Sequence, residues 1–199
     1  MYSRIHHRIL LVICLIAATQ GVVVGSEEQE PQHNTNATPV ERGHYLVNVG
    51  GCGDCHTPKV LTKDGPQPDE NRLLSGHPAD AKLPPLPPGV IGPDRWGAIA
   101  NNDLTAWAGP WGVSYAANLT PDVTGMGGWS PETFIQAIRT GKHAGGGRDI
   151  LPPMPWMDYA QMTDEDLRAV FAYLKSLPPV SNVVPAPVPP AASQNQDRM

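Results

Sequence analysis

The sequence predicts an all-α fold, three to five short helices separated by long, stiff loops. Prolines number 23 and glycines 20 in 199 residues, a punctuation that shortens every element and disfavours a large sheet. Three stretches carry a capping residue at one end and a glycine or proline stop at the other, the marks of separate helices. The length suits one ordinary domain with extensions.

The elements follow in chain order. "MYSRIHHR" supplies a basic start through Arg4 and Arg8, and "ILLVICLIAA" supplies an apolar stretch of signal-peptide length. Residues 1–25 read as a signal peptide, with Val23-Val24-Gly25 before Ser26 as the cleavage site. Thr19 and Gln20 interrupt the apolar run, which disfavours a full span of roughly 20 residues; an uncleaved N-terminal membrane anchor is the alternative. Ile13 before Cys14 is too bulky for lipoprotein cleavage. The chain is therefore expected to be exported to the periplasm. Loss of Arg4 and Arg8 takes the formal charge from −5 to about −7, which disfavours a nucleic-acid partner.

Residues 26–37 read as a flexible linker, and 38–179 as the domain. Thr38-Pro39-Val40-Glu41 is a capping box with proline at the first helical position. The helix it opens should end near Gly50. Residues 66–113 form an insertion too rich in proline and glycine to be regular, yet Trp96, Trp107 and Trp111 argue that it packs. "SYAANLTPD" starts extended and turns at Pro121-Asp122. Ser130-Pro131 opens a second helix closed by Gly141. Thr163 opens a third, with Leu167, Val170, Phe171 and Leu174 as one apolar stripe, stopped at Pro178-Pro179. Residues 180–199 read as a disordered, proline-rich tail.

The chemistry begins at "GGCGDCHTP". After signal removal two cysteines remain, Cys52 and Cys55, which is no disulfide framework. Three readings compete. A thioredoxin-type dithiol wants a long helix after the motif, and Pro66 forbids it. A zinc site needs two further ligands, while His33, His44, His77 and His143 are scattered singly. C-x-x-C-H is the signal for covalent haem attachment. Both thiols can add to the porphyrin vinyl groups, and His56 is then carried beneath the ring to ligate iron. Chance produces this pattern in roughly one chain per thousand, so one haem c per chain is the expected cofactor.

A carrier of electrons needs a sixth iron ligand, usually methionine. Met154 stands in "ILPPMPWMDY" between Pro153 and Pro155, where restricted backbone angles reduce the entropy lost on binding iron. Met157 and Met162 approach the last helix, where packing is the plainer role, and Met126 lies in a glycine-rich turn. His77, in "SGHP", is the one rival of another type and reads as a surface loop histidine. Asn118, Tyr115, Trp111 and Arg148 are candidate contacts of the ligands or haem propionates, although each alone reads as an ordinary loop residue.

These stretches, "RGHYLVNVGGCGDCHTP", "NLTPDVTGMGGWSPETFIQAIRTGKH", "GRDILPPMPW" and "MTDEDLRAVFAYLKSLPPV", resemble the bacterial class I cytochrome c family, above all cytochrome domains associated with periplasmic dehydrogenases. The resemblance implies a cytochrome c-like fold wrapped around one haem. It implies thioethers at Cys52 and Cys55, His56 as proximal ligand and Met154 as distal ligand. Dehydrogenase subunits of that kind commonly carry several haem domains, and this chain carries one motif. The insertion also makes the separation of His56 and Met154 long for the family.

The function expected is electron transfer, not catalysis, with iron cycling between ferric and ferrous. Partners would be redox proteins: a dehydrogenase, a terminal oxidase or a membrane cytochrome, met by a soluble shuttle with peripheral membrane association. Two rivals stand beside it: a fixed cytochrome subunit of a membrane-associated dehydrogenase complex, and a haem enzyme or gas-binding protein with an open iron position.

Overall fold

A computed structural model of the chain describes residues 37–190. The expected signal segment 1–25, residues 26–36 of the linker and 191–199 of the tail lie outside the described residues. Helix α1 spans Pro39–Val49 and the short α2 spans Cys52–His56. A hairpin follows, β1 (Lys59–Thr62) paired antiparallel with β2 (Gly65–Pro68). A second, three-stranded antiparallel sheet has the order β3 (Ile99–Ala100), β4 (Ala106–Gly109), β5 (Gly112–Tyr115). Then come α3 (Pro131–Thr140), α4 (Trp156–Tyr159) and α5 (Asp164–Ser176).

The helix starts are built by local chemistry. Thr38 Oγ1 accepts the Glu41 N–H while Glu41 reaches back to the Thr38 N–H at 2.8 Å, a closed capping box. Ser130 and Thr163 cap α3 and α5 through the Thr133 and Asp166 N–H groups. Each cap satisfies an N–H that the first helical turn leaves without a partner.

The core lies where α1, α3 and α5 meet. Val47, Phe134, Ile138, Leu167, Phe171 and Leu174 are among its buried members, and the Phe134 and Phe171 rings sit 5.6 Å apart. Gly43 makes the α1–α5 approach close, because a Cβ there would lie 1.9 Å from Ala169 O. Arg42 Nε donates to Asp166 Oδ1 at 2.9 Å across the same pair. Among the described residues, no helix is long and apolar enough to cross a membrane.

The expectation of short helices around one core holds, and the insertion refines it. Two small sheets stand at the two ends of that stretch, β1–β2 where it begins and β3–β5 where it closes, so the fold is not helical throughout. Hydrogen bonding of β4 to both neighbours gives the proline- and glycine-rich segment a regular frame. The tail differs from expectation as well. Residues 180–190 are not disordered but bonded to the body through Val180, Asn182 and Val188. A proline-rich segment stays loose only when no partner supplies its missing bonds.

Candidate functional site

α1 delivers the chain to the cysteine motif through a tight turn, in which the Gly50 N–H donates to Leu46 O at 2.8 Å. Tyr159 of α4 fastens that turn from outside by donating its hydroxyl to Gly50 O. α2 itself is one turn long, and its last carbonyls need partners. Lys59 supplies them: Nζ donates to Gly53 O at 3.4 Å, to Asp54 O, and to Thr57 O at 2.7 Å. A lysine three residues past the motif is a helix-end partner whose signal does stand in the sequence.

Cys52 and Cys55 are both half-buried, unpaired thiols. Burial pushes the Cys52 thiol up to about 11, with smaller contributions from Asp54 and Cys55. Burial also raises Cys55, against the opposing pull of Lys59. Such thiols are neutral near pH 7, unlike the acidic nucleophile of a redox dithiol. The His56 ring donates from Nδ1 to Ala117 O at 2.8 Å, since a carbonyl only accepts. That bond places a proton on Nδ1, so the neutral ring that burial favours has its lone pair on Nε2, the form that binds a metal. Burial lowers the His56 pKa, outweighing the Ala117 bond that raises it.

These three side chains line one cavity of about 610 Å³, within the range of about 300–1,000 Å³ usual for ligand and cofactor sites. Met154 lines the same cavity, between Pro153 and Pro155, and packs against the core. Its loop is tied to the insertion: Ser114 Oγ donates to Pro152 O at 2.6 Å and accepts from Trp111 Nε1 at 3.2 Å. The rest of the lining is mostly apolar, with Phe134, Ile138, Leu167 and Trp107 among it. Its charged or titratable members besides His56 include His143 and Arg148. A cavity of this size and character, with an imidazole, a thioether and two free thiols, fits a porphyrin held by sulfur.

The other candidates fall elsewhere or have other work. Met126 is buried in the core and lines the cavity together with Met162; Met157 is exposed. His77 is not the surface histidine expected. It is 1% exposed, bonded through Nδ1 to Thr105 Oγ1 at 2.9 Å and stacked 4.9 Å from the Tyr115 ring. It packs behind Tyr115 and does not itself line the cavity. Asn118 is committed as well, its amide donating to Thr124 and Val180 while its oxygen accepts from Thr120. Tyr115, Asn118 and Arg148 do line the cavity, whereas Trp111 serves Ser114. Ser114, Tyr159 and Asn182 emerge only from the structure, because their partners lie 38 to 109 residues away; no local pattern marks them.

Among the described residues, no group of three or more His, Cys, Asp or Glu side chains could hold a bare metal ion, so the zinc reading finds no ligand set there. A family model described as Cytochrome c matches residues 40–178. The gluconate 2-dehydrogenase cytochrome c subunit of Pantoea cypripedii is 29% identical over 163 residues, 81% of this chain and 27% of that protein. The fructose dehydrogenase cytochrome subunit of Gluconobacter japonicus is 28% identical, over 83% of this chain and 26% of its own. The cytochrome c subunit of the quinone-dependent alcohol dehydrogenase of Gluconobacter oxydans is 25% identical, over 79% of this chain and 25% of its own. The chain thus spans about a quarter of the length of each of these relatives.

Proposed function

The chain belongs to the cytochrome c family, and from that premise we propose that it is a periplasmic electron carrier with one haem c bound through Cys52 and Cys55. His56 and Met154 would hold its iron. The observation that carries this reading is the apolar cavity lined by all four side chains. When bound, haem c supplies a one-electron ferric/ferrous couple. The protein's residues do the rest. The Ala117 carbonyl orients His56 and keeps its proton on Nδ1. Ser114 steadies the proline-flanked loop that presents Met154. The apolar lining excludes water and lowers the local dielectric, which disfavours the more charged ferric state.

The donor is a dehydrogenase and the electrons pass on to the respiratory chain. The names of the relatives support a dehydrogenase partner and also favour the second reading, a fixed cytochrome subunit of a membrane-associated complex. Co-purification with a dehydrogenase from membranes in high salt would favour the subunit, and release by the same salt would favour the shuttle. The mature chain's acidic balance suits a basic docking face on the partner.

Met154→Ala tests the ligand set. The variant is expected to retain covalent haem, as read by mass, while its ferric spin state changes and its potential falls. An unchanged ferric spectrum removes Met154 from the iron. Rapid carbon monoxide binding by the wild-type ferrous protein at neutral pH would replace the carrier reading with an open-site haem protein.

A further inference from the structure

Residues 178–190 contain six prolines and belong to no helix of the domain. Their rotation about φ is restricted before folding, so docking costs them little entropy. The segment is clamped at three points. The Val180 N–H donates to Thr120 Oγ1 at 3.1 Å, and its carbonyl accepts from Asn118 Nδ2 at 2.8 Å. Asn182 is engaged throughout. Its N–H donates to Thr124 Oγ1 at 2.9 Å, and Oδ1 accepts the Ala79 N–H at 2.9 Å. Its Nδ2 donates to Ser75 O at 2.7 Å and to His77 O at 2.9 Å. Val188 exchanges both backbone bonds with Val113 of β5, at 2.7 and 2.9 Å. Gly112 makes room for this pairing, because a Cβ there would lie 2.0 Å from Val188 O.

Between the clamps, Val183, Val184 and Pro187 line the cavity. Val183 is also 70% exposed. The segment has no charged side chain.

We propose that residues 178–190 are a strap that walls the haem cavity off from water, and that Asn182 is the positioning residue that latches it. The proposal rests on the haem reading above. A closed strap replaces water by apolar side chains on one side of the cavity, which raises the potential of the iron by disfavouring the ferric state. An opened strap admits water and lowers it. Asn182 suits the latch because it bridges the 75–79 loop and Thr124, two segments that the helices do not join.

The test uses the full-length holoprotein with Asn182→Ala and Asn182→Asp, and a chain ended after Val180 as an independent second measure. Asn182→Asp keeps the side-chain size but loses both donors to Ser75 and His77. Expected is a lower midpoint potential in all three, with the spectroscopic signature of the sulfur ligand retained. Exchange of the Val188 N–H should accelerate by about tenfold or more in the two point variants, a factor that loss of one net hydrogen bond can supply. Reduction by dithionite, a hydrated anion, should also quicken.

Wild-type potential and exchange rates in the point variants, or a wild-type potential in the shortened chain, would overturn the strap while leaving the haem reading standing. Loss of the sulfur ligand's signature in every variant would overturn it too, since the segment would then support the Met154 loop instead of excluding water. A wild-type protein without covalent haem would instead sink the haem reading itself.

Discussion

The helical half and the sheet-and-strap half of this domain are held together by different means. On the helical side, α1, α3 and α5 meet through apolar stripes, and each helix start is completed by a residue three positions away. On the other side, residues 57–118 and 178–190 bury few large apolar groups. They are joined by side chain–backbone bonds that span 62 and 107 residues, from Asn118 and Asn182, and Ser114 ties the sheet to Pro152 across 38 residues. The haem cavity lies between them and borrows from both: Leu167 and Phe134 from one, Trp107 and Val184 from the other. One half is stabilised by burial, which tolerates small shifts. The other is stabilised by directional bonds, whose loss leaves a buried polar atom without a partner.

The largest effect is expected at Leu167, which is 1% exposed at the centre of the helical core. Leu167→Ala should cost about 2–5 kcal/mol, measured by denaturant unfolding of the holoprotein. A loss below about 1 kcal/mol, well under the usual cost of such a cavity, would mean that the helices are not what holds the domain. A smaller and more local effect is expected from Ser114→Ala, which strips Pro152 O and Trp111 Nε1 of their shared partner. Stability should fall by about 1–3 kcal/mol, and the spectrum of the sulfur ligand should become labile to mild heating. Unaltered lability would show that the prolines alone restrain Met154.

The smallest effect is expected at Asp69, beside Arg72 in the insertion. The Asp69 carboxylate accepts from Arg72 Nε at 2.7 Å and from the Asn71 N–H at 3.0 Å, and the Arg72 bond leads in lowering its pKa. Because the folded value is depressed, this stabilisation is present above the unfolded value of about 3.9 and is lost as pH falls through the folded one. Asp69→Asn should therefore lower Tm slightly at pH 6 and not at the acid end. The difference should amount to no more than about 1 kcal/mol, as for other partly exposed pairs. A gap that widens on acidification would reverse the assigned sign.

How much of this was legible in advance follows the same division. Thr38, Ser130 and Thr163 were readable as caps because their partners lie within one turn. Cys52, Cys55 and His56 were readable because their chemistry demands a fixed short spacing, and the prolines that flank Met154 marked it as a candidate, which the structure brings to the same cavity. His77 reads as a surface residue in sequence, since its burial depends on Thr105 and Tyr115, which stand 28 and 38 residues further on. The strands of the insertion were hidden too, because proline and glycine obscure the alternation that marks a strand.

The sequence by itself determined the three capped helices, their apolar faces and the haem-attachment motif, all written in patterns no longer than a few turns. Only the tertiary structure decided that Met154 shares a cavity with His56, that Ser114 and Tyr159 brace its two approaches, and that the proline-rich end is bound rather than loose. Local patterns record bonds between near neighbours, whereas a carbonyl left open by one loop can be matched by any donor the fold brings to it. That match exists only once the chain has closed.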